Sequence, residues 1–180
     1  NSKTTISVIG LGYVGLPLAL EFAKKFTVIG FDIDSKRIEE LRSGFDSTNE
    51  AEESELIQSR LRFSSEMSEI DSSNIYIVTV PTPIDSNKLP NLQPLISASQ
   101  TVGRALVKND IVIFESTVFP GATEEICVPE LENYSNLTFN KDFFVGYSPE
   151  RINPGDKSHR LKDIVKVTSD DLYVPAEEFL

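Results

Sequence analysis

An α/β fold of the Rossmann type, a doubly wound and mainly parallel sheet with helices on both faces, is what the sequence predicts. Three observations carry this. Short β-branched runs alternate with helix-length amphipathic stretches along the chain. The first run, Ile6-Ser7-Val8-Ile9, breaks into Gly10-Leu11-Gly12-Tyr13-Val14-Gly15, and the second, Thr27-Val28-Ile29-Gly30-Phe31, closes on Asp32. Strands separated by helices imply βαβ units, whose right-handed crossovers favour a parallel sheet covered on both faces.

In order, the pattern gives a strand over Thr5–Ile9, a helix over Val14–Lys25, a strand over Thr27–Phe31 and a helix over Ser35–Ser43 ended near Gly44. Leu61–Phe63 reads as a short strand and Ile75–Thr79 as a buried one, by its β-branched and aromatic content. Leu95–Val107 fits a helix, Ile111–Phe114 a buried strand, Gly121–Leu131 a helix after a Pro-Gly turn, and Phe143–Gly146 and Ile164–Thr168 the last strands. The acidic run Asn49–Glu55 reads as a solvated helix face, its acids suited to a first helical turn.

The first turn has the chemistry of a dinucleotide site. Gly10 permits the tight exit from the strand, Gly12 lets a pyrophosphate approach the backbone, and Gly15 lets helix and strand pack closely. The helix start offers N–H groups and partial positive charge to phosphates. Asp32 stands at the spacing of a carboxylate that accepts from an adenosine ribose hydroxyl, and its charge opposes a 2′-phosphate, which favours NAD over NADP. A glycine-rich first turn followed by an acid at the end of strand two also occurs in S-adenosylmethionine-dependent methyltransferases. A non-catalytic nucleotide-sensing module on the same fold is a third reading, since fold alone does not dictate function.

Composition limits the alternatives. The 180 residues carry 17 Lys and Arg against 28 Asp and Glu, a net charge of −11, which speaks against a broad nucleic-acid footprint. The charge is uneven: Glu150–Lys166 holds five basic and three acidic residues, a local basic patch suited to a small anion or to a solvated loop. No apolar stretch approaches the roughly 20 residues that span a bilayer. The sequence enters its first strand without a cationic-then-apolar leader and has one cysteine, so a cytoplasmic setting without disulfides is expected. Cys127 falls within the apolar pattern Ile126-Cys127-Val128, where a free cysteine serves as a small core residue. His159, the only histidine, lacks companions for a zinc site.

Ligands of α/β sheets sit beyond the carboxyl ends of the strands. Polar residues and prolines gather at those ends: Val80-Pro81-Thr82-Pro83, Glu115-Ser116-Thr117 before Pro120-Gly121, and Ser148-Pro149-Glu150-Arg151. Taken together, G-L-G-Y-V-G-L-P, V-P-T-P, E-S-T-V-F-P-G-A-T and S-P-E-R-I-N-P-G resemble the UDP-glucose/GDP-mannose dehydrogenase family over about Thr5–Ser169. The S-P-E-R form is most similar to the UDP-N-acetylhexosamine 6-dehydrogenases of that family.

The resemblance implies an NAD-dependent oxidation of the C6 alcohol of a UDP-amino sugar, through an aldehyde and an enzyme thioester, to a carboxylate that supplies surface polysaccharide biosynthesis. By the same resemblance, Gly10, Leu11, Gly12, Tyr13, Val14 and Gly15 form the cofactor turn, with Tyr13 and Val14 meeting the pyrophosphate through their backbone. Asp32 and Arg37 stand at the adenosine end, Thr82 lines the channel, and Thr117 sits by the nicotinamide and holds a reactive water. Glu150 serves acid–base work in thioester hydrolysis, and Arg151 and Ile152 touch the substrate. The family's nucleophilic cysteine, central helix and C-terminal UDP-binding domain have no counterpart here, so 1–169 reads as the NAD-binding domain, 170–180 stays unassigned, and the full-length parent is expected to be a homo-oligomer.

Overall fold

The computed structural model describes residues 4–84, 90–116 and 118–148. Six β-branched and aromatic segments form strands: β1 (Thr5–Ile9), β2 (Thr27–Phe31), β3 (Arg62–Ser64), β4 (Ile75–Val78), β5 (Ile111–Phe114) and β6 (Phe144–Tyr147). They pair in the order β3-β2-β1-β4-β5-β6, every pair parallel, so all carboxyl ends lie at one edge. This is the doubly wound order of a Rossmann sheet, with its switch point between β1 and β4.

Alternate residues of the four central strands, β2, β1, β4 and β5, feed two separate cores. Ile6, Val8, Val28 and Ile77 pack with α1 (Gly15–Ala23) and α2 (Ser35–Arg42) on one face. Ile9, Phe31, Tyr76, Val78, Val112 and Phe114 pack with α4 (Gln93–Ala105) and α5 (Val128–Ser135) on the other. The central strands are apolar on both sides because both sides are covered, which is why they read as near-continuous hydrophobic runs, whereas the edge strand β3 is Arg-Phe-Ser with Arg62 exposed. Ser7 is the buried polar residue of β1, and it is satisfied by the Ser73 hydroxyl at 2.7 Å.

Local chemistry sets the helix ends. Asp34 caps α2, its carboxylate accepting from the Lys36 N–H at 3.0 Å, and Gly44 leaves the helix at φ +83°. The acidic run does open a helix, α3 (Glu53–Gln58), where the Glu52 N–H donates to the Glu55 side chain at 3.1 Å in a capping box.

Three elements differ from expectation. The fourth helix starts at Gln93, not Leu95, because Pro94 fits a first turn that needs no N–H from it. The stretch after Gly121 is not one regular helix ending at Leu131. Thr123–Cys127 forms a π-helical turn that passes into α5, and the helix runs on to Ser135 before Asn136 takes a left-handed conformation. Pro129 has no N–H to give Glu125 and its ring crowds that carbonyl, which accounts for the wider turn. Met67–Ser72 makes a 3₁₀ turn that no hydrophobic period announces. The expected strand Ile164–Thr168 lies outside the described residues.

Candidate functional site

The turn after β1 is built from the backbone outward. Gly10 takes φ +95°, open to glycine, and donates its N–H to the Phe31 carbonyl at 2.8 Å. The Thr79 hydroxyl, at the end of β4, lies 2.7 Å from the Gly10 carbonyl and 3.1 Å from that of Ile9, fixing the turn across the switch point. A Cβ on Gly15 would stand 1.9 Å from the Gly10 oxygen, so α1 sits as close to β1 as it does only because this residue has no side chain. A Cβ on Gly12 would meet nothing within 4 Å: the chain itself does not require glycine there. No side chain caps α1 and its first turn holds no acid, so the partial positive charge of its N-terminus is not answered from within the helix.

Asp32 closes β2 at the lip of this turn. One carboxylate oxygen accepts from the Leu11 N–H at 2.9 Å and the other from the Asp34 N–H at 3.0 Å. An ionised carboxylate has about four acceptor sites, so two hydrogen bonds orient it and leave capacity for the hydroxyls of a sugar. Arg37, from α2, donates through Nε to the Leu11 carbonyl at 3.0 Å. Both backbone groups of Leu11 are therefore held by predicted site residues, while its side chain is fully buried against Gly30.

Two hollows flank the turn. The larger, about 660 Å³, runs from Gly10–Gly12 past Asp32 and Arg37 to Ser47 and Thr48, and is closed by Asn91, Gln93, Ser97 and Thr101. The smaller, about 360 Å³, lies between Gly12–Val14 and Thr82, Pro83, Glu115 and Ser116. Gly12, Thr79, Val80 and Pro81 line both. Ser116 is fixed by donating its hydroxyl to the Val80 carbonyl at 2.8 Å.

The structure thus gathers Gly10, Leu11, Gly12, Asp32 and Arg37 around one hollow and Tyr13, Val14 and Thr82 around the adjoining one. Gly15 packs beneath the turn and lines neither. Thr117, Glu150, Arg151 and Ile152, with His159, lie outside the described residues. Cys127 is fully buried in the α4–α5 core, where burial pushes its thiol up to about 11, with a Ser99 hydrogen bond opposing and Glu124 adding to the rise. It is a core residue and no nucleophile. Sequence reasoning missed Thr79, the loop Asp46–Thr48 and the polar wall of α4. Of these, only D-S-T-N carried a local signal, an acid followed two residues on by a hydroxyl.

Two adjoining hollows that share a wall, a glycine cradle open at Gly12, an uncapped helix start and an oriented acid at the end of β2 together fit a dinucleotide. The sequence profile of the UDP-glucose/GDP-mannose dehydrogenase family, NAD binding domain, matches residues 4–168. The chain belongs to this family. The match sets aside the methyltransferase reading.

Among curated relatives, the family member is 61% identical over 165 residues to the UDP-N-acetyl-D-glucosamine 6-dehydrogenase of Pseudomonas aeruginosa, covering 91% of this chain and 39% of that protein. It is 60% identical over 168 residues to the enzyme of the same name from Salmonella typhi, covering 93% and 40%. Its fold matches a UDP-D-ManNAc dehydrogenase structure from Pyrococcus horikoshii with a TM-score of 0.78 and 34% identity, over 90% of this chain and 39% of that one. The chain spans about two fifths of the length of the curated relatives it matches. Among the described residues no helix is long and apolar enough to cross a membrane.

Proposed function

We propose that this chain is the cofactor-binding part of an NAD-dependent dehydrogenase that oxidises the C6 hydroxyl of a UDP-N-acetylhexosamine to a carboxylate, using two NAD per sugar. One observation carries the reading: the Asp32 carboxylate is locked to the Leu11 N–H at 2.9 Å, beside a glycine whose missing side chain serves no contact within the protein. That pairing is explained by a ligand with a ribose at one end and a phosphate approaching the backbone next to it. The relatives named for UDP-N-acetyl-D-glucosamine support the sugar class.

In this reading Asp32 accepts from the adenosine ribose, and the backbone of Tyr13 and Val14 meets the pyrophosphate. Thr82 lines the cofactor channel, and the role of Thr117 is to meet the nicotinamide and hold a reactive water. Bound NAD supplies the hydride acceptor. Glu150 serves acid–base work in thioester hydrolysis, a task open to a carboxylate within reach of the water. Arg151 and Ile152 touch the sugar nucleotide. The cysteine that forms the thioester belongs to the part of the parent outside this chain, as do its UDP-binding domain and dimer contacts. We place the parent in the cytoplasm, as a homo-oligomer feeding polysaccharide synthesis.

The test pairs two proteins. The 180-residue chain is expected to bind NAD in calorimetry and to produce no NADH with any UDP-sugar. The full-length parent is expected to produce NADH with UDP-N-acetylhexosamines in preference to UDP-glucose. Turnover by the isolated chain overturns the division of labour. A parent that binds NAD and oxidises no sugar nucleotide supports the sensing module instead.

A further inference from the structure

Asp46 is the most enclosed acid near the cleft, with a side chain that is 0% exposed. It lies in the loop between α2 and α3. One of its oxygens accepts from the Thr48 N–H at 3.0 Å, the Thr48 hydroxyl at 2.7 Å and Arg37 at 2.7 Å. The other accepts from the N–H groups of Glu50 at 2.8 Å and Ala51 at 2.9 Å. Burial pushes this carboxyl up, but the hydrogen bonds from Thr48, Arg37 and the loop backbone outweigh it, so it stays ionised below the usual range.

Arg37 is equally committed. Its Nε serves the Leu11 carbonyl, one terminal nitrogen serves Asp46 and, at 3.3 Å, the Thr48 hydroxyl, and the other pairs with Glu40 and reaches Ser47 at 3.4 Å. A guanidinium has five N–H donors, and each has an acceptor inside the protein. The contacts form one relay: Asp46 to Arg37, Arg37 to the Leu11 carbonyl, and the Leu11 N–H to Asp32.

Arg37 also lines the same hollow as Asp32, and an arginine with free donors near the ribose-facing position is the group that accommodates the 2′-phosphate of NADP. We infer that Asp46 is a specificity-determining positioning residue: by engaging Arg37 it fixes the Leu11–Asp32 pair for a ribose diol and withholds the guanidinium from a 2′-phosphate. The inference rests on the cofactor reading proposed above. It assigns to a buried loop acid a role in choosing between two cofactors that it does not itself touch.

The experiment titrates NAD and NADP by calorimetry into the wild-type chain, Asp46→Asn, Arg37→Gln and the double variant, with Glu39→Gln, an exposed acid on the same helix, as a control for lost charge. Asp46→Asn is expected to weaken NAD about tenfold while leaving NADP within about threefold, the scale of one charged hydrogen bond. The double variant is expected to show the same preference as Arg37→Gln alone. An equal loss for both cofactors in Asp46→Asn, or a shift that survives without Arg37, overturns the inference. Should Asp46→Asn fail to fold, Thr48→Val removes one donor to Asp46 and one acceptor from Arg37, and an unchanged cofactor preference there overturns it as well. If the wild type binds neither cofactor, the NAD reading fails. The relay is then judged by hydrogen exchange at the Leu11 amide in the Asp46→Asn or Thr48→Val protein, where an unchanged rate refutes it.

Discussion

Alanine placed at two glycines three residues apart should have opposite consequences. At Gly12 the new methyl meets nothing within 4 Å, and the residue does not occupy the left-handed region. Gly12→Ala then limits the unfolded chain without straining the folded one, a gain of about 0.4–1 kcal/mol, or about 1–4 °C in Tm for a domain of this size. The methyl does occupy the path along which a pyrophosphate would near the backbone, so NAD affinity should fall by at least about tenfold, or about 1.4 kcal/mol. At Gly15 the same methyl would lie 1.9 Å from the Gly10 oxygen and 2.4 Å from the Thr79 hydroxyl, where ordinary contact begins near 3.4 Å. The backbone carbonyl cannot retreat without opening the turn, and the cost should reach about 3 kcal/mol, or about 6–12 °C in Tm. Thermal melts and NAD calorimetry on both variants check this. A Gly12→Ala chain that binds NAD within twofold of wild type, or a Gly15→Ala chain as stable as wild type, would refute the reasoning.

Further outcomes can be measured on the same chain. Asp32→Ala should weaken NAD by about tenfold or more, on the scale of a charged hydrogen bond, and should also lower Tm, because the Leu11 and Asp34 N–H groups lose their acceptor; unchanged affinity removes Asp32 from the site. Thr79→Val should loosen the turn and weaken NAD, and Thr79→Ser should restore it, as the hydroxyl and not the methyl makes the 2.7 Å bond to Gly10. Burial raises Asp110 from 3.8 to about 6, against a hydrogen bond from the Val107 N–H. Its folded-state pKa is above its unfolded one, so its contribution is full below pH 4 and is lost as pH rises through 6, a change on the order of 3 kcal/mol. Asp110→Asn should therefore gain stability over wild type between pH 4 and 7 in urea titrations; parallel curves for the two proteins contradict the assignment. Cys127 should resist thiol reagents at pH 8 until the chain is unfolded, and rapid native labelling would show that the α4–α5 core opens.

Much of the fold was legible because the central strands are covered on both faces, so Ile75–Val78 and Ile111–Phe114 had to be almost continuously apolar. The glycine turn and Asp32 were legible because their chemistry is local in sequence. Thr79 was not, since its partner Gly10 lies 69 positions away and meets it only where β1 and β4 run side by side. Asp46 was hidden differently. Its local signal, a hydroxyl two residues on, marks a turn but not the partner that buries it: Arg37 comes from the preceding helix, and the side chain is 0% exposed. The π-helical turn escaped because hydrophobic spacing records which residues face inward, not the one-residue slip that Pro129 imposes.

The wall shared by the two hollows bears on selective inhibition. Gly12, Thr79, Val80 and Pro81 face both compartments. A compound anchored only on that partition would meet the same four residues from either side and could not distinguish one compartment from the other. Discrimination has to come from the far walls, Asp32 and Thr101 in one compartment and Tyr13 and Glu115 in the other. A bulkier side chain at Val80 would narrow both compartments at once, so resistance arising there would extend to compounds lodged in either.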